Sequence, residues 1–241
     1  MALDSLLNAS DSVRVAHSLR MLAAHDISDW ALTGGIAIEL HVLRCGGEPV
    51  VRPLHDIDFL VSSFESIPET LGRELLLRHV HPDDPPGKNM LQGVDRATEV
   101  RIDVFRAYGL EMERTSSVEI AGITFSAVSL PDLIARHARL NWNLVEGKPV
   151  APKYARDFLR LVDLVPTGEV ECVWQEHRKP EYPESFAETV LRLRRAIASR
   201  PELLVSPIYS TDVEEACPRC RDVESFPLAD PRRVLAILGY C

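Results

Sequence analysis

Apolar side chains recur at Val13, Ala16, Leu19, Leu22 and Ala23, the spacing of one helix face, so a helix is predicted from about Ser10 to His25, with Ser10 or Asp11 as its N-cap. Trp30-Ala31-Leu32 then reads as a short strand running into Thr33-Gly34-Gly35. A mostly apolar helix follows (Ile36, Ile38, Leu40, Val42, Leu43) and ends at the loop Cys45-Gly46-Gly47-Glu48-Pro49. In the six residues from Asp56 to Val61 the period of two turns Ile57 inward and sets Asp56 and Asp58 on the opposite face, about 7 Å apart. Leu71, Leu75 and Leu76 predict a helix over about Pro68–Arg78, and the proline-rich stretch from His81 to Gly87 an exposed turn. Residues 98–108 alternate again, with Val100, Ile102 and Val104 on one face and Arg101, Asp103 and Phe105 on the other. Residues 116–128 predict a hairpin turning at Ala121-Gly122.

Beyond Leu130 the period changes to that of helices. Pro131-Asp132 opens one that runs to about Leu144, and Pro152 opens another packed through Tyr154, Phe158, Leu161 and Val162. Thr167 is placed to cap a third carrying Val170, Val173 and Trp174. Glu184–Ser199 predicts a fourth, and Asp230-Pro231 a last that stops at Gly239. The expected fold class is α+β: an α/β domain over 1–129, with a small mixed sheet flanked by helices, and a helical C-terminal domain over 130–241. No internal repeat or low-complexity tract interrupts it.

Composition narrows the function classes. At 241 residues the chain can bury a real core, and 46% hydrophobic with 26% charged residues is ordinary for a globular protein. There is no apolar run long enough to span a bilayer and no basic-then-apolar leader, so a cytoplasmic location and no membrane partner are expected. Five scattered cysteines argue against a disulfide framework. Cys217 and Cys220 form half of a zinc pattern, with Cys172, Cys241 and His177 as the obvious completing ligands; lacking a second Cys-x-x-Cys, they are read as reduced thiols and structural zinc is not expected. A net charge of −9 weakens any case for broad nucleic-acid binding, and Arg192, Arg194 and Arg195 on one helix read as a solvated face.

The chemistry concentrates in three places. The helix after Gly34-Gly35 offers free backbone N–H groups at its first turn, where phosphate oxygens are readily held. Asp56 and Asp58 repel each other unless a cation sits between them, and divalent metal is the usual one. Asp103, in mid-strand, is costly to bury unless paired or metal-bound. Singly, each has a plain structural reading: a tight strand-to-helix turn, a solvated strand edge, and an ion pair with Arg101 or Arg106. His55 reads as a loop histidine.

Taken in order, these pieces resemble the DNA polymerase beta-like nucleotidyltransferase superfamily. They look most like its small bacterial branch, which includes antibiotic nucleotidyltransferases and nucleotidyltransferase-like toxins of abortive-infection systems. TGGIAIELH is similar to the glycine signature, RPLHDIDFLV to the aspartate pair with Arg52 just upstream, and VRIDVF to the third-carboxylate strand. FSAVSLPDLIARHARLN followed by PKYARDFLRLVDL is similar to the continuation in which a Lys precedes an Asp on a helix. The likeness covers about residues 10–165.

The resemblance implies Mg²⁺-dependent transfer of a nucleoside monophosphate from an NTP to a hydroxyl. Asp56, Asp58 and Asp103 would be catalytic and would hold two magnesium ions. Thr33, Gly34, Gly35 and Lys153 would bind the nucleotide. The acceptor is open, with a small molecule such as an antibiotic favoured, tRNA or a protein as the toxin-type alternative, and a catalytically inactive nucleotide-binding module as a third reading. Oligomeric state is not legible. Two departures stand out: an enlarged loop around residues 46–51, and Arg136-His137 where many relatives read L-x-A-L-K.

Overall fold

The computed structural model describes residues 3–54, 56–80, 90–205 and 226–227, with the side chains of 76–80, 205, 226 and 227 left aside. The predicted last helix at Asp230, the 81–87 turn, His55, and Cys217, Cys220 and Cys241 lie outside the described residues.

The chain is a mixed α/β fold. Helix α1 (Ala9–Ala23) is capped by Asn8, whose side chain accepts from Asp11 N at 2.9 Å, so the cap stands two residues before the expected Ser10. Strand β1 (Trp30–Thr33), helix α2 (Gly34–Arg44) and strand β2 (Ile57–Val61) follow as the sequence predicts. The expected helix over 68–78 is not there. Glu69–Arg73 make a single 3₁₀ turn, and Leu75–Val80 form strand β3, antiparallel to β4 (Met90–Asp95). Leu71, Leu75 and Leu76 sit at a spacing that imitates a helix face, but Leu71 closes the 3₁₀ turn while Leu75 begins the sheet; tertiary pairing decides between the two periods. Strand β4 escaped notice because MLQGVD lacks clean alternation and carries Gly93 inside.

Strand β5 is Arg101–Arg106, and β6 (Ser116–Ile120) and β7 (Ile123–Ala127) form the expected hairpin. At its turn Ala121 (φ 52°) and Gly122 (φ 76°) are both left-handed, the conformation that matches strand twist across a two-residue loop. Helices α3 (Leu130–Val145), α4 (Pro152–Val162), α5 (Thr167–His177), α6 (Phe186–Ala198) and the short α7 (Glu202–Val205) follow. Pro166, not Thr167, occupies the cap position of α5.

With β8 (Phe226–Pro227), the described strands join one eight-stranded sheet in the order β6-β7-β1-β2-β5-β4-β3-β8. Strand β1 runs antiparallel to β2 and parallel to β7, while β2 and β5 are parallel. Buried apolar side chains form one continuous cluster from Leu3 to Leu203, so the sheet and the later helices share a core. Trp30 meets Phe59 edge-on at 5.4 Å, and Trp174 does the same with Phe186 at 5.5 Å. Each such fully buried large side chain contributes about 1.5–3 kcal/mol, enough to hold the central strands in a fixed register.

Candidate active site

That register builds the site. Strands β2 and β5 pair Ile57 with Ile102 and Asp58 with Asp103, so the next step back sets Asp56 beside Arg101. Ile57 and Ile102 point into the core, and the same alternation brings Asp56, Asp58, Arg101 and Asp103 to the other face as a square of three carboxylates and one guanidinium. A carboxylate oxygen from each of the three aspartates lies within 4.8 Å of the others. Asp103 is buried, and Asp56 and Asp58 are half-buried.

The glycine turn meets this square from β1. Thr33 pairs with Asp58 across the sheet and ends the strand. Gly34 takes φ +63°, and a Cβ built there would lie 1.8 Å from Asp58 Oδ2, so both backbone conformation and space require glycine. At Gly35 a Cβ would meet only ordinary contacts, with Arg52 Cδ and Nη1 at 3.4 Å. The Gly35 N–H donates to Asp58. The first turn of α2 is therefore aimed at the carboxylates, favourably placed with respect to the helix dipole.

Charge is incompletely balanced. Burial, and then the neighbouring Asp103 charge, push the Asp58 carboxyl up to about 7, against the opposing pull of Lys153, the Gly35 N–H and Arg52. Arg101 Nη2 donates to Asp56 Oδ2 and stands 3.3 Å from Asp103 Oδ2. Arg101 Nε is buried and donates to no acceptor among the described residues. Lys153, in the first turn of α4, is near enough for its ammonium to act on Asp58, and it lies 5.2 Å from the Tyr154 ring centroid.

A buried ionic clamp ties α4 to this face. Arg52 donates through Nε to Glu39 Oε1 at 2.7 Å and through Nη1 and Nη2 to both Asp157 oxygens at 3.2 and 2.5 Å. Arg160 reaches both Glu39 oxygens at 2.6 and 2.8 Å. Glu39 has no exposed surface; burial raises its pKa, but the guanidinium groups of Arg160 and Arg52 hold it below the ordinary carboxylate range. The long 46–51 loop acquires its purpose here. Gly46, at φ +79°, turns the chain, Val50 N donates to Glu39 Oε2 at 2.8 Å, and Arg52 is delivered to Asp157. The sequence signal for this clamp was Glu39, the one acidic residue of α2, set among Ile36, Ile38, Leu40 and Val42.

The structure thus brings together Thr33, Gly34, Gly35, Asp56, Asp58, Asp103 and Lys153. Sequence reasoning missed Glu39 and Asp157 as positioning groups and set Arg101 aside as an ordinary ion-pair partner. Arg136, the departure on α3, is committed to Glu111. His137 beside it is buried, and that burial keeps its imidazole below the usual histidine range.

No protein-family model and no curated protein matches the chain. Among solved structures it is similar to an antigenic nucleotidyltransferase-like protein from Paracoccidioides brasiliensis, at 16% identity and a TM-score of 0.46, over 86% of this chain and 97% of that one. It is also similar to JHP933 from Helicobacter pylori, at 12% identity and a TM-score of 0.33, over 83% and 95%. Both scores fall under 0.5, and the functional reading rests on the geometry of the carboxylates instead. No helix among the described residues is long and apolar enough to cross a membrane.

The donor set suits a hard divalent cation. All three groups are carboxylates, with oxygens close enough to share one centre, and no thiol or imidazole among the described residues joins them. Burial first, and then the neighbouring Asp103 charge, outweigh Lys153, the Gly35 N–H and Arg52 at the Asp58 carboxyl.

Proposed function

We propose that this protein is a Mg²⁺-dependent nucleotidyltransferase that moves a nucleoside monophosphate from an NTP to a hydroxyl and releases pyrophosphate. The observation that carries the reading is the in-register placement of Asp58 and Asp103 across β2 and β5, with Asp56 beside them and a glycine turn above. Magnesium bound there supplies positive charge to the attacking and leaving oxygens of an in-line displacement. The chain's own residues position and neutralise, which is most of what phosphoryl transfer asks of a protein. Asp56, Asp58 and Asp103 hold the ions. Asp103, rigid in mid-strand, orients the acceptor hydroxyl and takes its proton. Thr33, Gly34 and Gly35 border the phosphates, and Lys153, fixed by the clamp on α4, meets the triphosphate.

A small hydroxylated molecule such as an antibiotic is the favoured acceptor, in keeping with a net charge of −9, which opposes a polyanionic acceptor; tRNA or a protein side chain is the alternative. One observation favours a different class, an inactive nucleotide-binding module: the Arg101 guanidinium already stands between Asp56 and Asp103. The test is incubation of the full chain with labelled NTPs and Mg²⁺ against panels of antibiotics, tRNA and proteins. Transfer is expected with one panel, and Asp58→Asn should lower it by about a thousandfold or more, the scale of losing several kcal/mol of transition-state stabilisation. Full activity in a folded Asp58→Asn protein would sink the assignment.

A further inference from the structure

Arg101 differs from the other arginines that meet buried carboxylates. Arg114 engages Asp132 through two nitrogens at 3.0 and 2.8 Å, and Arg136 likewise grips Glu111 through Nε and Nη2. Arg101 instead spreads one nitrogen, Nη2, across Asp56 and Asp103, while its Nε is buried with no acceptor among the described residues. Its side chain is 30% exposed and that of Asp56 21%, so the pair is only partly buried. The β2–β5 register places it there as firmly as it places Asp103.

We propose that Arg101 is a displaceable counter-ion: its guanidinium bridges Asp56 and Asp103 in the ion-free protein and leaves that gap when a divalent cation enters it. This rests on the carboxylate square being a cation site. A divalent ion brings one more positive charge to three carboxylates than the guanidinium does, and it is compact enough to be shared by all three. A guanidinium that leaves toward solvent regains water on the Nε that now lacks an acceptor. The exchange makes the strand stable without metal and sets a threshold that the ion must overcome, by linkage between the two occupants of one gap.

The experiment measures Mn²⁺ binding to the metal-stripped full-length protein by calorimetry, for wild type and Arg101→Gln, together with thermal melts in EDTA. Arg101→Gln should bind Mn²⁺ about three- to tenfold tighter, the scale of one partly exposed ion pair, and should melt at a lower temperature in EDTA. Those opposite shifts separate a competitor from an arginine with a purely structural role, whose loss would weaken binding along with the fold. Equal or weaker binding by Arg101→Gln overturns the exchange and leaves the cation site standing. Binding by Arg101→Gln alone makes Arg101 a permanent counter-ion, which overturns the exchange and the catalytic reading together. Binding by neither overturns the cation site itself, and the exchange with it. If Arg101→Gln does not fold, side-chain NMR of wild type decides: the Arg101 guanidinium should gain rotational freedom on saturation with Mg²⁺, and an unchanged signal overturns the proposal.

Discussion

Two groups of metal-type side chains lie among the described residues, and they are finished differently. Glu111, Asp132 and His177 bring ligand atoms within 4.8 Å of one another, as Asp56, Asp58 and Asp103 do. The first group is fully buried and its carboxylates are paired by their neighbours: Arg136 on Glu111, Arg114 and Ser129 on Asp132, and His177 Nε2 at 3.0 Å from Asp132 Oδ1, while His177 Nδ1 has no partner among the described residues. Burial raises the Asp132 pKa, but bonds from His177, Arg114 and Ser129 hold it below the carboxylate range. In the second group the Asp58 carboxyl is pushed up instead. Clustered acids alone therefore do not mark a cation site. The two groups differ in the balance at one carboxyl: the donors around Asp132 outweigh its burial, and those around Asp58 do not.

The contrast can be broken at Asp132. Asp132→Ala leaves the buried His177 without its Asp132 partner and Arg114 with only Glu176, and should cost about 1–3 kcal/mol of stability by urea unfolding; no measurable loss would mean that this network is no better satisfied than the other. A pH series sharpens the same point with a smaller effect. The folded pKa of Asp58, about 7, lies above its ordinary value of 3.8, so the native state holds a proton that the unfolded chain has released. Its contribution is fully present below pH 3.8 and is lost as pH rises through 7, and Asp58→Asn should remove that slope. Asp132 carries the opposite sign: its folded pKa is lowered, so its contribution is present above pH 3.8 and disappears as pH falls through the lower folded value. At the bottom of the scale stands the exposed pair Arg192–Glu188 on α6, where Arg192→Ala should change stability by less than about 0.5 kcal/mol.

The sequence carried more of the site than of the surrounding sheet. Asp56, Asp58 and Asp103 announced themselves because a charge in a strand of period two has only two faces to choose from, and the isoleucines beside them claim the core. The helices from α3 to α6 were legible for the same kind of reason, as strong apolar stripes with proline or serine at their starts. Strand β3 was not, since Leu71, Leu75 and Leu76 fit a helix until a partner strand exists to pair with them. The Glu39–Arg52–Asp157–Arg160 clamp was equally hidden, because its members are scattered from α2 to α4 and only folding shows that they share charge.

Arg52 lies 13 residues from Glu39 and 105 from Asp157 in the chain. During synthesis from the N-terminus, the three aspartates and the glycine turn therefore emerge well before the helix that completes their surroundings. Closing a loop of that length carries an entropic cost that the short Glu39 contact does not. Until α4 has been made and docked, Arg52 lacks its Asp157 partner, and Lys153 cannot yet stand beside Asp58. The order of the chain thus acts as a clock, in which the carboxylate square is laid down early and its neighbouring cation arrives late.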